Sequence, residues 1–137
     1  KVLSKGSTFL DIKGSSVTNK DSLLVSLMSL NLDTSKYRII VPNHAYFDVF
    51  KSDFPTFLAL HDFSDLSSSF LENEPELRGI CIRNEKITRE QVNFLKSIHK
   101  KTIIYEVRSP KGIRSALEKD PAFLLTDDLK LTLGMKY

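Results

Sequence analysis

One cysteine, no tryptophan, five glycines and five prolines in 137 residues exclude several kinds of protein at the outset. Cys81 has no second thiol in the chain, so no internal disulfide can form, and its neighbours Ile80 and Ile82 place it in an apolar strand rather than a reactive setting. The sequence therefore gives no redox compartment. With so few glycines there is no conventional phosphate-cradling loop, and no serine stands in a Gly-x-Ser-x-Gly turn, which sets covalent catalysis low. The three histidines, His44, His61 and His99, lack the short spacing of a zinc site. No apolar run approaches the ~20 residues of a membrane-crossing helix, and the residues from Lys1 onward show no signal-peptide pattern. A soluble segment is expected, of unknown location. The 20 basic and 17 acidic residues leave a charge of +3 without a dense basic tract, so nucleic acid is not an expected partner. The chain opens on Lys1 rather than Met, which reads as a fragment, a processed chain or an incompletely covered start.

What is present is an ordinary globular mixture, 41% hydrophobic and 27% charged, arranged in alternating patterns. Thr8 to Lys13 reads as a strand closing at Gly14 and a Ser-rich turn. From Asp21 to Leu32 the leucines 23, 27 and 30 recur at helical spacing beside Leu24 and Met28, giving a wide apolar face expected to be core. Tyr37 to Val41 is a second strand, stopped by Pro42. Tyr46, Phe47, Phe50 and Phe54 then mark a helical packing stripe before Pro55. Thr56 to Leu60 is a third apolar run, and Asp62 to Asn73 a looser helical stretch. Arg78 to Ile82 gives a fourth strand. The next helix has the best-marked start: Thr88 and Gln91 form a capping box, and Ile87 and Val92 a hydrophobic staple. It runs to about His99, where Lys100 and Lys101 extend a basic cluster suited to a helix C-terminus. Thr102 to Val107 is a fifth strand, Pro110 opens a helix through Leu117, and Ala122 to Leu125 is a sixth strand. Thr126 to Asp128 starts either a short helix or an extended tail.

Strands separated by helices imply parallel pairing through right-handed crossovers, either in an open doubly wound sheet or in part of an eight-stranded barrel. In both, chemistry gathers beyond the carboxyl ends of the strands. Those ends carry Asp11 and Lys13, then Asn43 and His44, His61 and Asp62, Arg83 and Asn84, Glu106 and Arg108, and Thr126 and Asp127. Most strand ends are polar simply because loops face water. Asp11 and Lys13 differ, because two residues apart on a strand they point to one side. There they could bind a cation and an anionic group together, or form a simple ion pair.

The order of these pieces resembles the C-terminal half of the glycerophosphodiester phosphodiesterase family, among the phospholipase-C-like barrels. Phe9-Leu10-Asp11-Ile12-Lys13 looks like that family's Glu-x-Lys strand. Ile39 to His44 sits where the next strand ends in Ser-Phe, Thr102 to Arg108 lies where a strand ends in Trp-Thr-Val-Asn, and Phe123-Leu124-Leu125-Thr126-Asp127 resembles the closing Thr-Asp strand. The resemblance spans nearly all of the chain through motifs of two to four residues.

It implies an α/β fold whose parallel strands form the later part of a TIM-type (β/α)8 barrel, with residues 1–137 as a single α/β unit, the C-terminal half of a larger domain. It implies metal-dependent hydrolysis of a phosphodiester substrate such as a glycerophosphodiester. Asp11 would stand at the place of a metal-binding carboxylate for Ca²⁺ or Mg²⁺, and Lys13 at that of the lysine that neutralises the phosphate. His44, Glu106, Arg108 and Asp127 would lie on the rim. The catalytic histidines belong to the earlier half, so this segment alone should be inactive, with a missing N-terminal half or another subunit as its partner. His61-Asp62 copies the family's His-Asp letters but follows the lysine strand, so chain order withholds that role. Asp11 is also shorter than the usual Glu, and Tyr105-Glu106-Val107-Arg108 replaces Trp-Thr-Val-Asn. Two further readings stand beside the enzyme: a non-catalytic half-barrel scaffold completed by another chain, and an independent doubly wound ligand-binding module.

Overall fold

A computed structural model of the chain describes residues 8–13, 19–107, 109–126 and 134. Among the described residues six strands alternate with five α-helices. They are β1 Thr8–Asp11, α1 Lys20–Met28, β2 Tyr37–Val41, α2 His44–Phe50, β3 Thr56–Ala59, α3 Ser68–Asn73, β4 Leu77–Arg83, α4 Arg89–Ser97, β5 Lys101–Val107, α5 Pro110–Glu118 and β6 Phe123–Thr126. The expected turn at Gly14 and the tail beyond Thr126, Gly134 apart, lie outside the described residues.

Two compact units emerge, one of Lys1–Ala59 with Glu74–Arg78, the other of Leu60–Asn73 with Gly79–Tyr137. In the first, β1 runs parallel to β2 with Thr8 opposite Tyr37 and Asp11 opposite Ile40, and β2 runs parallel to β3 with Ile39 opposite Thr56. Ile39, Ile40 and Val41 of β2 are all buried, as a parallel strand covered on both faces should be. Phe9 meets Phe57 edge to face at 5.6 Å between centroids, tying β1 to β3's apolar surface. Helix α2 begins because Asn43 caps it, its side chain accepting from the Tyr46 N–H at 3.1 Å. The expected stripe is core: Tyr46, Phe47, Phe50 and Phe54 are buried, each contributing on the order of 1.5–3 kcal/mol of transfer free energy.

Helix α1 departs from expectation. Asn19 caps it, accepting from the Asp21 and Ser22 N–H groups, and it ends at Met28 rather than Leu32, with Asn31 turned to φ 53°. None of its residues is buried, so the face expected as core is not core. It packs along α2, and burying one flank on a neighbouring helix leaves the rest of so apolar a helix open.

In the second unit β4 and β5 are parallel, Gly79 opposite Lys101 through Arg83 opposite Tyr105, and β5 pairs with β6 through Ile103 and Phe123. Gly79 is obligatory: a Cβ there would overlap the Lys101 carbonyl oxygen, so only glycine allows β4 to come this close to β5. The capping box of α4 forms as read, with the Gln91 side chain accepting from the Thr88 N–H at 2.9 Å and Thr88 Oγ1 accepting from the Gln91 N–H at 3.1 Å. Ile87 and Val92 are both buried beneath it. The basic cluster after α4 is divided: His99 adopts φ 63°, Lys100 is buried and its N–H donates to the Leu95 carbonyl, and Lys101 opens β5. Cys81 is buried in β4. No helix among the described residues is long and apolar enough to cross a membrane.

Candidate functional site at the carboxyl ends of the strands

In the first unit the site begins where β1 ends. Beyond Asp11, the Ile12 N–H still donates to the Ile40 carbonyl at 2.8 Å, so the extended backbone continues and Asp11 and Lys13 share a side. Lys13 Nζ lies 2.7 Å from Asp11 Oδ2, with the lysine side chain 84% and the carboxylate 50% exposed. A local cation and carboxylate are thus presented together to solvent. The contact is also the simple ion pair left open by the sequence, and at this exposure it adds at most about 1 kcal/mol to stability. His44 is exposed in the first turn of α2, immediately after the Asn43 cap, and among the described residues it belongs to no group of three possible metal ligands.

In the second unit, the carboxyl ends of β4 and β5 bring together a pair that the sequence had separated. Arg83 Nη2 lies 3.2 Å from Glu106 Oε1, and Arg83 Nη1 lies 3.8 Å from Glu85. Regular alternation would not do this. Arg83 is in register with Tyr105, so Glu106, one residue on, would face away. Two features redirect it: β5 takes three residues from Ile104 to Val107 where β6 takes two from Leu124 to Thr126, and Glu106 adopts φ 58°. A left-handed conformation costs a glutamate about 1–3 kcal/mol. The half-exposed pair returns at most about 1 kcal/mol, so stability alone does not account for the bulge. Strand bulges of this kind re-aim side chains beside active sites.

Around this pair the loops are tied down. Lys119, at the end of α5, donates to the Asn84 carbonyl at 2.6 Å and to Asn84 Oδ1 at 2.8 Å, and desolvation by burial lowers its pKa from the ordinary lysine value. Lys86 Nζ lies 3.2 Å from Asp62 Oδ1, and His61 Nε2 is 3.8 Å from the same carboxylate. Asp62 is further engaged in a capping box with Asp65 at the turn Phe63–Asp65. His61 and Asp62 thus take part in the ion pairs and the cap of this loop. Thr126 donates a long 3.4 Å hydrogen bond to the Val107 carbonyl, while Arg108 and Asp127 lie outside the described residues.

Of the residues read from sequence, the structure joins Asp11 to Lys13 and Glu106 to Arg83. Arg83 was legible as a strand-end cation, but its partner depended on the bulge, which no local motif announces. The Lys119 tie to Asn84, 35 residues away in sequence, had no signal at all. Among the described residues, no three His, Cys, Asp or Glu side chains gather as a metal site.

No family model matches the sequence, and a comparison with curated proteins gives no match. Solved structures do match. A protein described as a glycerophosphoryl diester phosphodiesterase, from Silicibacter pomeroyi, superposes with a TM-score of 0.79 at 12% identity, over 95% of this chain and 51% of that one. An Oleispira antarctica phosphodiesterase, solved with the product sn-glycerol-3-phosphate, gives 0.77 at 12% identity over 96% and 56%. A glycerophosphodiester phosphodiesterase from Parabacteroides distasonis gives 0.73 at 16% identity over 93% and 55%. The chain spans about half the length of these proteins. At such identities the likeness is one of fold, and the fold is that of alternating parallel strands and helices forming the later part of a TIM-type barrel, as in glycerophosphodiester phosphodiesterases.

Proposed function

We propose that this chain supplies part of the active site of a glycerophosphodiester phosphodiesterase-like enzyme that hydrolyses a phosphodiester with the help of a divalent cation. The observation that carries the reading is the Asp11–Lys13 pair, 2.7 Å apart and open to solvent at the carboxyl end of a parallel strand. In a TIM-type barrel that end of the strands hosts the chemistry. Lys13 Nζ would sit against a non-bridging phosphate oxygen and stabilise the charge that grows there as the bond to the leaving alcohol breaks. Asp11 would give one oxygen to a Ca²⁺ or Mg²⁺ ion. One carboxylate does not fit such an ion by itself, because Mg²⁺ takes about six oxygens and Ca²⁺ about six to eight. The other ligands, like the acid and base histidines, would come from the earlier strands of the barrel. The sn-glycerol-3-phosphate held by the Oleispira protein makes a glycerophosphodiester the first substrate to try.

In a protein that carries the earlier strands, Lys13→Ala should lower kcat/KM toward a glycerophosphodiester by roughly 100-fold, the usual loss on removing one charge-stabilising donor. Hydrolysis at the original rate would sink the enzyme reading, as would crystals soaked in Ca²⁺ or Mg²⁺ that show no ion beside Asp11. The segment by itself should be inactive.

A second reading, a non-catalytic scaffold, draws on the same pair: Asp11 already has Lys13 as its counterion. Titration with Mn²⁺ separates the two. Relaxation enhancement that disappears in Asp11→Ala supports the enzyme, and indifference to that substitution supports the scaffold.

A further inference from the structure

Helix α1 is the part of the molecule whose sequence and surroundings disagree most. Its nine residues, KDSLLVSLM, include Leu23, Leu24, Val25, Leu27 and Met28, with Lys20 and Asp21 as its only charges. A helix apolar around so much of its circumference belongs inside a structure, not on its surface. Yet none of its residues is buried. Val25 is 68% exposed, Met28 43%, and Leu30, just past the helix end, 63%. Val25 and Met28 are three residues apart, so they share a face. Helix α2 packs against α1, and Leu23, Leu24 and Leu27 are half-buried while Val25 and Met28 stay exposed.

We propose that the Val25–Met28–Leu30 face is the seat of one particular partner, an amphipathic helix of the barrel's earlier βα units, packed beside α1 in the outer ring. This rests on the reading of the chain as the later part of a larger barrel. In a closed (β/α)8 barrel every helix of the ring has a neighbour on each side. Helix α1 follows the first strand described here, so one of its neighbours belongs to a unit earlier in barrel order. The matched phosphodiesterases are about twice as long as this chain, and its described residues form six strands where a closed barrel has eight, which leaves length for such units. The chemistry of the face agrees. Lacking any cluster of charge, it offers nothing to an acidic or basic partner, and with Lys20 as its sole basic residue it lacks the cationic border of a helix that lies on anionic lipid.

Thiol labelling tests the assignment without reference to catalysis, since Cys81 is the only native thiol and is buried. Met28→Cys should react with a maleimide freely in the 137-residue chain and at least about tenfold more slowly in a protein that also carries the preceding barrel strands. In parallel, the triple variant Val25→Gln, Met28→Gln, Leu30→Gln should leave the melting temperature of the 137-residue chain unchanged and lower that of the longer protein. Equal labelling rates in the two proteins would overturn the proposal. So would a triple variant that melts alike in the longer protein, or one that dissolves a dimer of the 137-residue chain, since the occupant would then be a second copy. Protection of the thiol in a longer protein that hydrolyses nothing would leave this inference standing and remove the enzymatic one.

Discussion

Glu106 shows what a single residue can hold against its own preference. Its φ of 58° is a conformation that glycine adopts without cost and a glutamate adopts at about 1–3 kcal/mol. What it gains is a 3.2 Å contact with Arg83, half exposed and worth at most about 1 kcal/mol. Glu106→Gly should therefore raise stability by up to about 1 kcal/mol in urea unfolding, despite loss of the ion pair. A lower denaturation midpoint would mean that the side chain, not the bulge, holds the end of β5. Asp11 and Lys13 pose the opposite case. Both were legible in the sequence as residues sharing a side, because alternation along a strand is a local rule. The bulge that turns Glu106 toward Arg83 was not legible, because it arises from a mismatch in step between β5 and β6.

At the scale of elements, close approach and local charge decide which strands and helices hold. Gly79 lies so near Lys101 that any side chain would strike backbone, and backbone in a paired strand cannot move aside cheaply. Gly79→Ala should cost about 3 kcal/mol or more, seen as a fall in both melting temperature and urea midpoint. Helix α2 carries a pH signature. Lys51, just past its end, loses solvation, which lowers its pKa, but Glu74, Asp48 and Glu76 more than compensate and raise it above the ordinary 10.5. A raised folded value means that the folded state binds the proton more tightly than the unfolded chain. Its stabilisation is then fully present below pH 10.5 and is lost as pH climbs through the folded value. Lys51→Met should accordingly show a smaller alkaline fall in melting temperature than the parent. An identical fall in both would show that this network does not couple to folding. The cap of α4 was readable in Thr88 and Gln91 because both partners lie within one turn. The Lys51 network was not, since Glu74 is 23 residues away.

For the molecule as a whole, the relation between chain and barrel governs what function is possible. About half the length of the matched phosphodiesterases is spanned. The Lys13→Ala and thiol-labelling experiments are accordingly set in a protein that also carries the earlier strands of the barrel. The sequence by itself determined the alternation of strands and helices, the capped start of α4, the aromatic core of α2, the buried Cys81 and the Asp11–Lys13 side-sharing. Each follows from periodicity or from interactions within a few residues. Only the tertiary structure decided that α1 is uncovered, that Lys100 is buried, that Gly79 admits no side chain and that Glu106 reaches Arg83. Those outcomes depend on which surfaces meet across long stretches of chain, and an apolar pattern records that a face should be buried without recording what buries it.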